Sequence, residues 1–138
     1  MFVSLTDFKN TWIRNYETRL EENCGGLTDT QYACEKKSVK GKITFGAEYQ
    51  HFYSPITDYD NNLGTPGNVQ TDDVLRSQIF LGFAQAELDL PLNLFLTVGE
   101  SANFINYQFI RPSVTPNLVL ERNFDPVLSP SIGRSCCR

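Results

Sequence analysis

No run of apolar residues in this sequence is long enough for a membrane helix. The longest, residues 79–84, has six members and includes Gly82, against the roughly 20 a helical span requires. The mean hydropathy of -0.30 agrees with that exclusion. A transmembrane β-strand escapes the same test, because lipid-facing and lumen-facing residues alternate and their average is polar. Positive charge is also scarce. Twelve Lys and Arg stand against 16 Asp and Glu, for a net charge of -4, and the lysines gather only at Lys36, Lys37, Lys40 and Lys42. Binding a phosphate backbone takes a basic face, so nucleic acid is not an expected partner. The lysine group reads as a solvated turn.

Histidine is reduced to His51 alone, which leaves no histidine-based metal centre and makes any hydrolytic triad depend on that one side chain. The four cysteines, Cys24, Cys34, Cys136 and Cys137, have neither the paired spacing of a zinc site nor a Cys-x-x-Cys redox motif. Cys24 and Cys34 admit two readings, a bridge across a hairpin in an oxidising compartment or two free thiols. The opening residues carry no basic segment followed by an apolar run and a small-residue cleavage site. An exported chain beginning this way is expected to be an internal piece of a longer protein.

What the sequence does have is alternation. From Ala86 to Val98, Ala86, Leu88, Leu90, Leu92, Leu94, Leu96 and Val98 alternate with Glu87, Asp89, Pro91, Asn93, Phe95 and Thr97, a period of two that means strand. Pro91 lacks the N–H a ladder needs, which splits the run into a hairpin turning at residues 90–93. Its second arm continues past Gly99 through Ala102, Phe104 and Asn106, about 15 residues or near 50 Å at roughly 3.3 Å per residue. A second alternation puts Ile43, Phe45, Ala47 and Tyr49 on one face and Thr44, Gly46, Glu48 and Gln50 on the other. Aromatics then crowd its far end at Tyr49, Phe52 and Tyr53, as an interfacial girdle or a core would use them.

Weaker strands are expected over 12–20, 28–35, 75–89 and 120–132, giving about six. Their connections alternate in length: 21–27 long, 37–40 short, 54–73 long, 90–93 short, 111–119 long. Long outer loops and short inner turns are the habit of bacterial barrels, which places 54–73 outside the cell. A helical start is the alternative, with Leu5, Phe8, Trp12 and Tyr16 helically spaced near a Thr6 cap; it would mark a small α+β protein.

Two motifs fail on inspection. Asp58, Asp60 and Asn62 occupy the first, third and fifth positions of a calcium loop, yet Leu63 replaces the glycine and Val69 the bidentate glutamate. Residues 99–103 resemble the start of a nucleophile elbow around Ser101, but the closing glycine and the following helix are missing. No phosphate-binding glycine loop is present. No catalytic, cofactor or metal residue is assigned, and the chain does not read as an enzyme.

Residues 83–99, Phe-Ala-Gln-Ala-Glu-Leu-Asp-Leu-Pro-Leu-Asn-Leu-Phe-Leu-Thr-Val-Gly, followed by Phe104-Ile105-Asn106-Tyr107, resemble the barrel strands of TonB-dependent outer-membrane receptors. The run Asn123-Phe124-Asp125-Pro126-Val127-Leu128-Ser129-Pro130 is similar to the way such receptors enter a next strand, and residues 42–53 resemble a strand opening into an outer loop. The likeness covers about 40–130 and is a pattern of strands, with no catalytic signature. It implies an all-β fold, an antiparallel meander of about six long strands forming part of a transmembrane β-barrel over 1–132. It also implies residence in the cell outer membrane and uptake of a large nutrient such as an iron-siderophore. The partners implied are outer-membrane lipid, the rest of the receptor barrel with its plug, and TonB through the parent protein. The family's plug, signal peptide and energy-coupling box are missing, so the piece is not expected to transport alone. The tail over 133–138 breaks the pattern and is expected to be out of frame. Ligand contacts are expected in the outward loops, 54–73 and 111–117, with no individual residue assigned. The competing class is a soluble β-rich structural or interaction protein, for example a viral assembly component, with the Leu88 to Val98 face inside.

Overall fold

The computed structural model describes residues 1–36, 39–91 and 94–136. Seven strands follow one another along the chain: β1 (Phe2–Thr11), β2 (Asn15–Lys36), β3 (Val39–Asn62), β4 (Thr65–Leu90), β5 (Leu94–Arg111), β6 (Leu118–Asn123) and β7 (Val127–Cys136). They form one antiparallel-type meander in the order β1-β2-β3-β4-β5-β6, with β7 also paired to β5. Four of the strands have 22, 24, 26 and 18 residues, well beyond the 3 to 10 or so of globular proteins. The chain divides into two compact units, the first Met1–Gly26, Gln50–Ile79 and Ile105–Phe124, the second Leu27–Tyr49, Phe80–Phe104 and Asp125–Arg138.

In the first unit β1 lies antiparallel to β2, from Phe2↔Gly25 to Thr11↔Tyr16. The turn between them is closed by the Trp12 N–H donating to the Asn15 carbonyl at 2.8 Å. β3 returns as β4 through only two residues, Leu63 (φ 55°) and Gly64 (φ 91°), and positive φ at both centres matches the right-handed twist of the arms. Side chains fasten this turn: the Gly64 N–H donates to Asn61 Oδ1 at 2.7 Å and the Thr65 hydroxyl to the Asn62 carbonyl at 2.6 Å. β6 pairs the end of β5, from Arg111↔Leu118 to Asn106↔Asn123.

In the second unit β7 pairs the start of β5, from Leu94↔Cys136 to Asn103↔Val127. Between the Asn106↔Asn123 and Asn103↔Val127 pairs the chain spends three residues, Phe124, Asp125 and Pro126, where β5 spends two. One extra residue is the signature of a bulge, and a bulge is where a proline without an N–H fits a ladder. Gly46 marks a close approach. A Cβ there would lie 2.7 and 2.9 Å from the Phe83 ring and closer still to the Thr28 carbonyl oxygen, so the ring covers the glycine.

Two contacts sort the faces of this unit. Leu88 reaches the position of a Cβ on Gly41, and the Phe80 and Phe104 rings meet at 6.0 Å between centroids. With alternation along each strand, Ile43, Ala84, Ala86, Val98 and Ile132 therefore share one face. Thr44, Gly46, Phe83, Thr97, Ser101 and Ser131 share the other.

The structure corrects several expectations. The fold class is an open antiparallel sheet and not a piece of a closed transmembrane β-barrel: β1 pairs β2, and neither β6 nor β7 reaches β1 among the described residues. Closure requires the last strand to pair with the first, and the smallest closed barrels use about eight strands. The expected connection 21–27 is uninterrupted strand in β2, held by β1. The expected outer loop 54–73 is the arms of the β3–β4 hairpin with Leu63 and Gly64 at its tip. The alternation of long and short connections thus disappears, because polar, Asp- and Gly-rich stretches were taken for loops. The single strand expected over 120–132 is two, split at the bulge. The helical start is replaced by β1, with Leu5 opposite Glu22. The turns expected at 37–40 and 90–93 each include two residues outside those described, 37–38 and 92–93.

Among the described residues no apolar side chain is buried; only Ser54 and Asp73 are. Leu88 is 39% exposed and Val98 46%. The sandwich interior proposed for that face is therefore absent, since a sandwich core needs a second packed layer.

Candidate functional site

Several polar side chains of the first unit pair across strands. Arg111, at the end of β5, meets Asp73 of β4 through two parallel bonds, Nε to Oδ1 and Nη2 to Oδ2, each 2.7 Å. A guanidinium fork and a carboxylate are matched in this geometry, and the same guanidinium lies 5.4 Å from the Phe109 ring centroid. The β3–β4 arms add three cross-strand bonds: the Thr71 hydroxyl to Asp58 at 3.1 Å, the Thr57 hydroxyl to Asp72 at 3.3 Å, and the Gln70 amide to Asp60 at 2.5 Å. Ser54 is fully buried, and its hydroxyl has no partner. On β2, Arg19 is held between Glu17 at 2.6 Å and Glu21 at 3.3 Å, with the Phe8 ring 5.9 Å away. Arg76 sits over Tyr53 at 5.4 Å.

The second unit carries a similar polar ladder. Lys42 Nζ lies 2.9 Å from Glu87 Oε2, the Gln85 amide donates to Glu87 Oε1 at 2.8 Å, and Lys40 lies 3.4 Å from Glu35. A concavity of about 520 Å³ is bordered by these charges and by Leu88, Phe95 and Leu96.

These side chains are engaged with one another by hydrogen bonds and ion pairs. Asp58 and Asp60 stand on β3, bonded to Thr71 and Gln70, and no group of three or more metal-ligating side chains occurs among the described residues. Ser101 faces Ser129 in the β5–β7 ladder and His51 lies on β3. Of the lysine cluster, Lys40 and Lys42 are ion-paired, which a solvated turn did not foresee. Cys24 and Cys34 are exposed and free. Both lie on β2, ten positions apart on one extended strand, which settles the open choice in favour of free thiols, since a disulfide needs Cα atoms within about 7 Å. Of the expected ligand loops, residues 54–73 supply Asp58 and Asp73 from strands, and 111–117 supplies Arg111 from the end of β5. The Asp73–Arg111 pair has no sequence signal, because its members are 38 residues apart and neither breaks an alternation.

The chain is an open antiparallel sheet of very long strands, and in its second unit Ile43, Ala84, Ala86, Val98 and Ile132 share one face while Lys42 and Glu87 pair on the other. No family model and no curated protein matches the sequence. The fold is similar to part of solved structures that include the ferric citrate transporter FecA in its unliganded form, with a TM-score of 0.67 and 10% identity. The match covers 94% of this chain and 20% of that one, so the chain spans about a fifth of the length of the transporter it resembles. At this identity the likeness is one of fold alone.

Proposed function

We propose that the chain is part of an outer-membrane receptor that takes up a scarce large nutrient such as an iron chelate, and that it does not transport by itself. The observation that carries this reading is the exposed apolar face on strands this long, with no buried apolar side chain among the described residues. Apolar surface of that extent needs a covering layer, and lipid supplies one without a second sheet. The resemblance in fold to the ferric citrate transporter supports it. In this reading lipid lies on the apolar face, the rest of the receptor and its plug complete the structure, and TonB acts through the parent protein. The hairpin tip at Leu63 and Gly64 is the outward end, and the Asp58, Asp73 and Arg111 side chains are the nearest fixed polar groups for a ligand.

The test is to translate the genomic DNA on both sides in every frame. More alternating strands, a plug domain and an export signal are expected. An isolated gene with none of these would overturn the receptor and promote a soluble β-rich interaction protein.

A further inference from the structure

Two polar atoms of the first unit, on adjacent strands, are buried without a partner. Ser54 of β3 is fully buried and its hydroxyl unbonded, and the Nε of Arg19 on β2 is buried and unbonded as well. Both belong to one face of the sheet. Asp58 follows Ser54 by four residues on β3 and bonds Thr71 of β4, and Asp73 lies two residues beyond Thr71, so alternation puts Ser54 and Asp73 together. On the other side the Asn61 N–H donates to the Arg14 carbonyl. Seven residues from that bond along each antiparallel strand, Glu21 stands opposite Ser54. Ser54 therefore sits between two carboxylates, each gripped by an arginine: Asp73 by Arg111, and Glu21 by Arg19. The guanidiniums are held in turn against the Phe109 and Phe8 rings. The Arg19, Glu21 and Arg111 side chains are 35%, 36% and 35% exposed, so the place opens to solvent by rotation of side chains alone.

Burial removes water from a hydroxyl and a guanidinium N–H, and what replaces it must match their hydrogen bonds. The neighbours are already committed. Arg19 gives its other nitrogens to Glu17 and Glu21, and Asp73 gives both oxygens to Arg111. The Nε–H can only donate, so an ammonium group, which has no lone pair, leaves it unmet. A carboxylate or phosphate could accept, but Glu17, Glu21, Asp58 and Asp73 outnumber Arg19 and Arg111 here and oppose a further negative charge. A neutral hydroxyl accepts from Nε–H and donates to Ser54 or a carboxylate. We propose that this face binds a neutral polyhydroxyl solute of the sugar class, one hydroxyl of which is taken between Ser54 and Arg19. The site rests on the first unit alone and not on the receptor reading.

The experiment uses the full chain in a non-ionic amphipol, with arginine side chains labelled with nitrogen-15 for NMR. D-glucose, D-glucuronate and D-glucosamine, alike in ring size and different in charge, are titrated in turn. Glucose is expected to shift the Arg19 Nε–H signal and to bind about tenfold tighter than either charged sugar, and Ser54→Ala to weaken it about fivefold, as the loss of one hydrogen bond allows. Arg19→Lys, which keeps the charge and loses the Nε–H, should weaken glucose similarly. An unchanged β-sheet circular dichroism spectrum verifies that each variant is folded. Equal binding of the three sugars, an Arg19 Nε–H signal that glucose leaves in place, or full affinity in Ser54→Ala would each overturn the proposal. So would a water cross-peak at Nε–H that glucose does not displace, since water alone would then fill the place. None of these results bears on the flanking-DNA test, so the two readings fail separately.

Discussion

Arg111 and Asp73 are held by two 2.7 Å bonds across β4 and β5, joining positions 38 residues apart at the polar end of the first unit. Removing either partner leaves the other without its counter-charge. Arg111→Lys keeps the charge and loses the planar fork. The expected order of stability is native, then Arg111→Lys, then Arg111→Ala, read as urea midpoints. A double-mutant cycle with Asp73→Asn should return a favourable coupling. Independent, additive effects would show that the pair is incidental.

Leu63 holds φ 55° with its side chain fully in solvent, where an L-residue other than glycine or asparagine is strained. Leu63→Asn should raise stability by about 1 kcal/mol, since the leucine makes no buried contact there. Leu63→Val should lower it. The check is the unfolding midpoint of each variant at constant m-value.

Two glycines of the second unit differ in what opposes them. A Cβ on Gly46 meets the Thr28 carbonyl and the Phe83 ring, whereas a Cβ on Gly99 meets the rotatable Ser131 hydroxyl at 2.9 Å and the Ala84 carbonyl at 3.3 Å. Backbone cannot step aside, so Gly46→Ala should destabilise by about 1–3 kcal/mol. Gly99→Ala should cost less. Adding Phe83→Ala to Gly46→Ala should fail to rescue it, because the Thr28 carbonyl remains.

Cys24 and Cys34 are exposed on the same strand. Both should therefore take up a polar maleimide in the folded chain without any reductant, detected by mass spectrometry of the 24- and 34-containing peptides. A peptide pair released only after reduction would contradict the single continuous β2.

How much of this was legible depended on which force shapes each strand. Where one face is apolar, as at Ile43 to Tyr49 and Ala86 to Val98, the period of two shows in the residue order and the strands are found. The arms of the β3–β4 hairpin hide because Thr57, Asp58, Asp60, Gln70, Thr71 and Asp72 hold each other by side-chain hydrogen bonds, and such residues alone read as loop. The stretch 21–27 hides for a related reason. Its glycines and glutamates are held as strand by neighbouring strands, β1 on one side and β3 on the other, and pairing between separate segments leaves no local mark. The open edges were equally out of reach, since whether a last strand meets a first is a property of the assembled sheet. The Asp125–Pro126 break was visible as residues, yet its meaning as an extra residue opposite β5 needed the register.

The central claim is that one face of this sheet meets lipid and the other meets water. It is tested by nitroxide labels placed singly at residues 95–104 of β5 in a cysteine-free background, with the chain reconstituted into bilayers. Accessibility to dissolved oxygen should peak at Leu96, Val98, Ala102 and Phe104, and accessibility to a water-soluble nickel chelate at Thr97, Ser101 and Asn103. Two profiles with a period of two and opposite phase are the result predicted. Profiles that rise and fall together, or a chelate that reaches Val98 and Ala102 as readily as Thr97 and Ser101, would contradict the account.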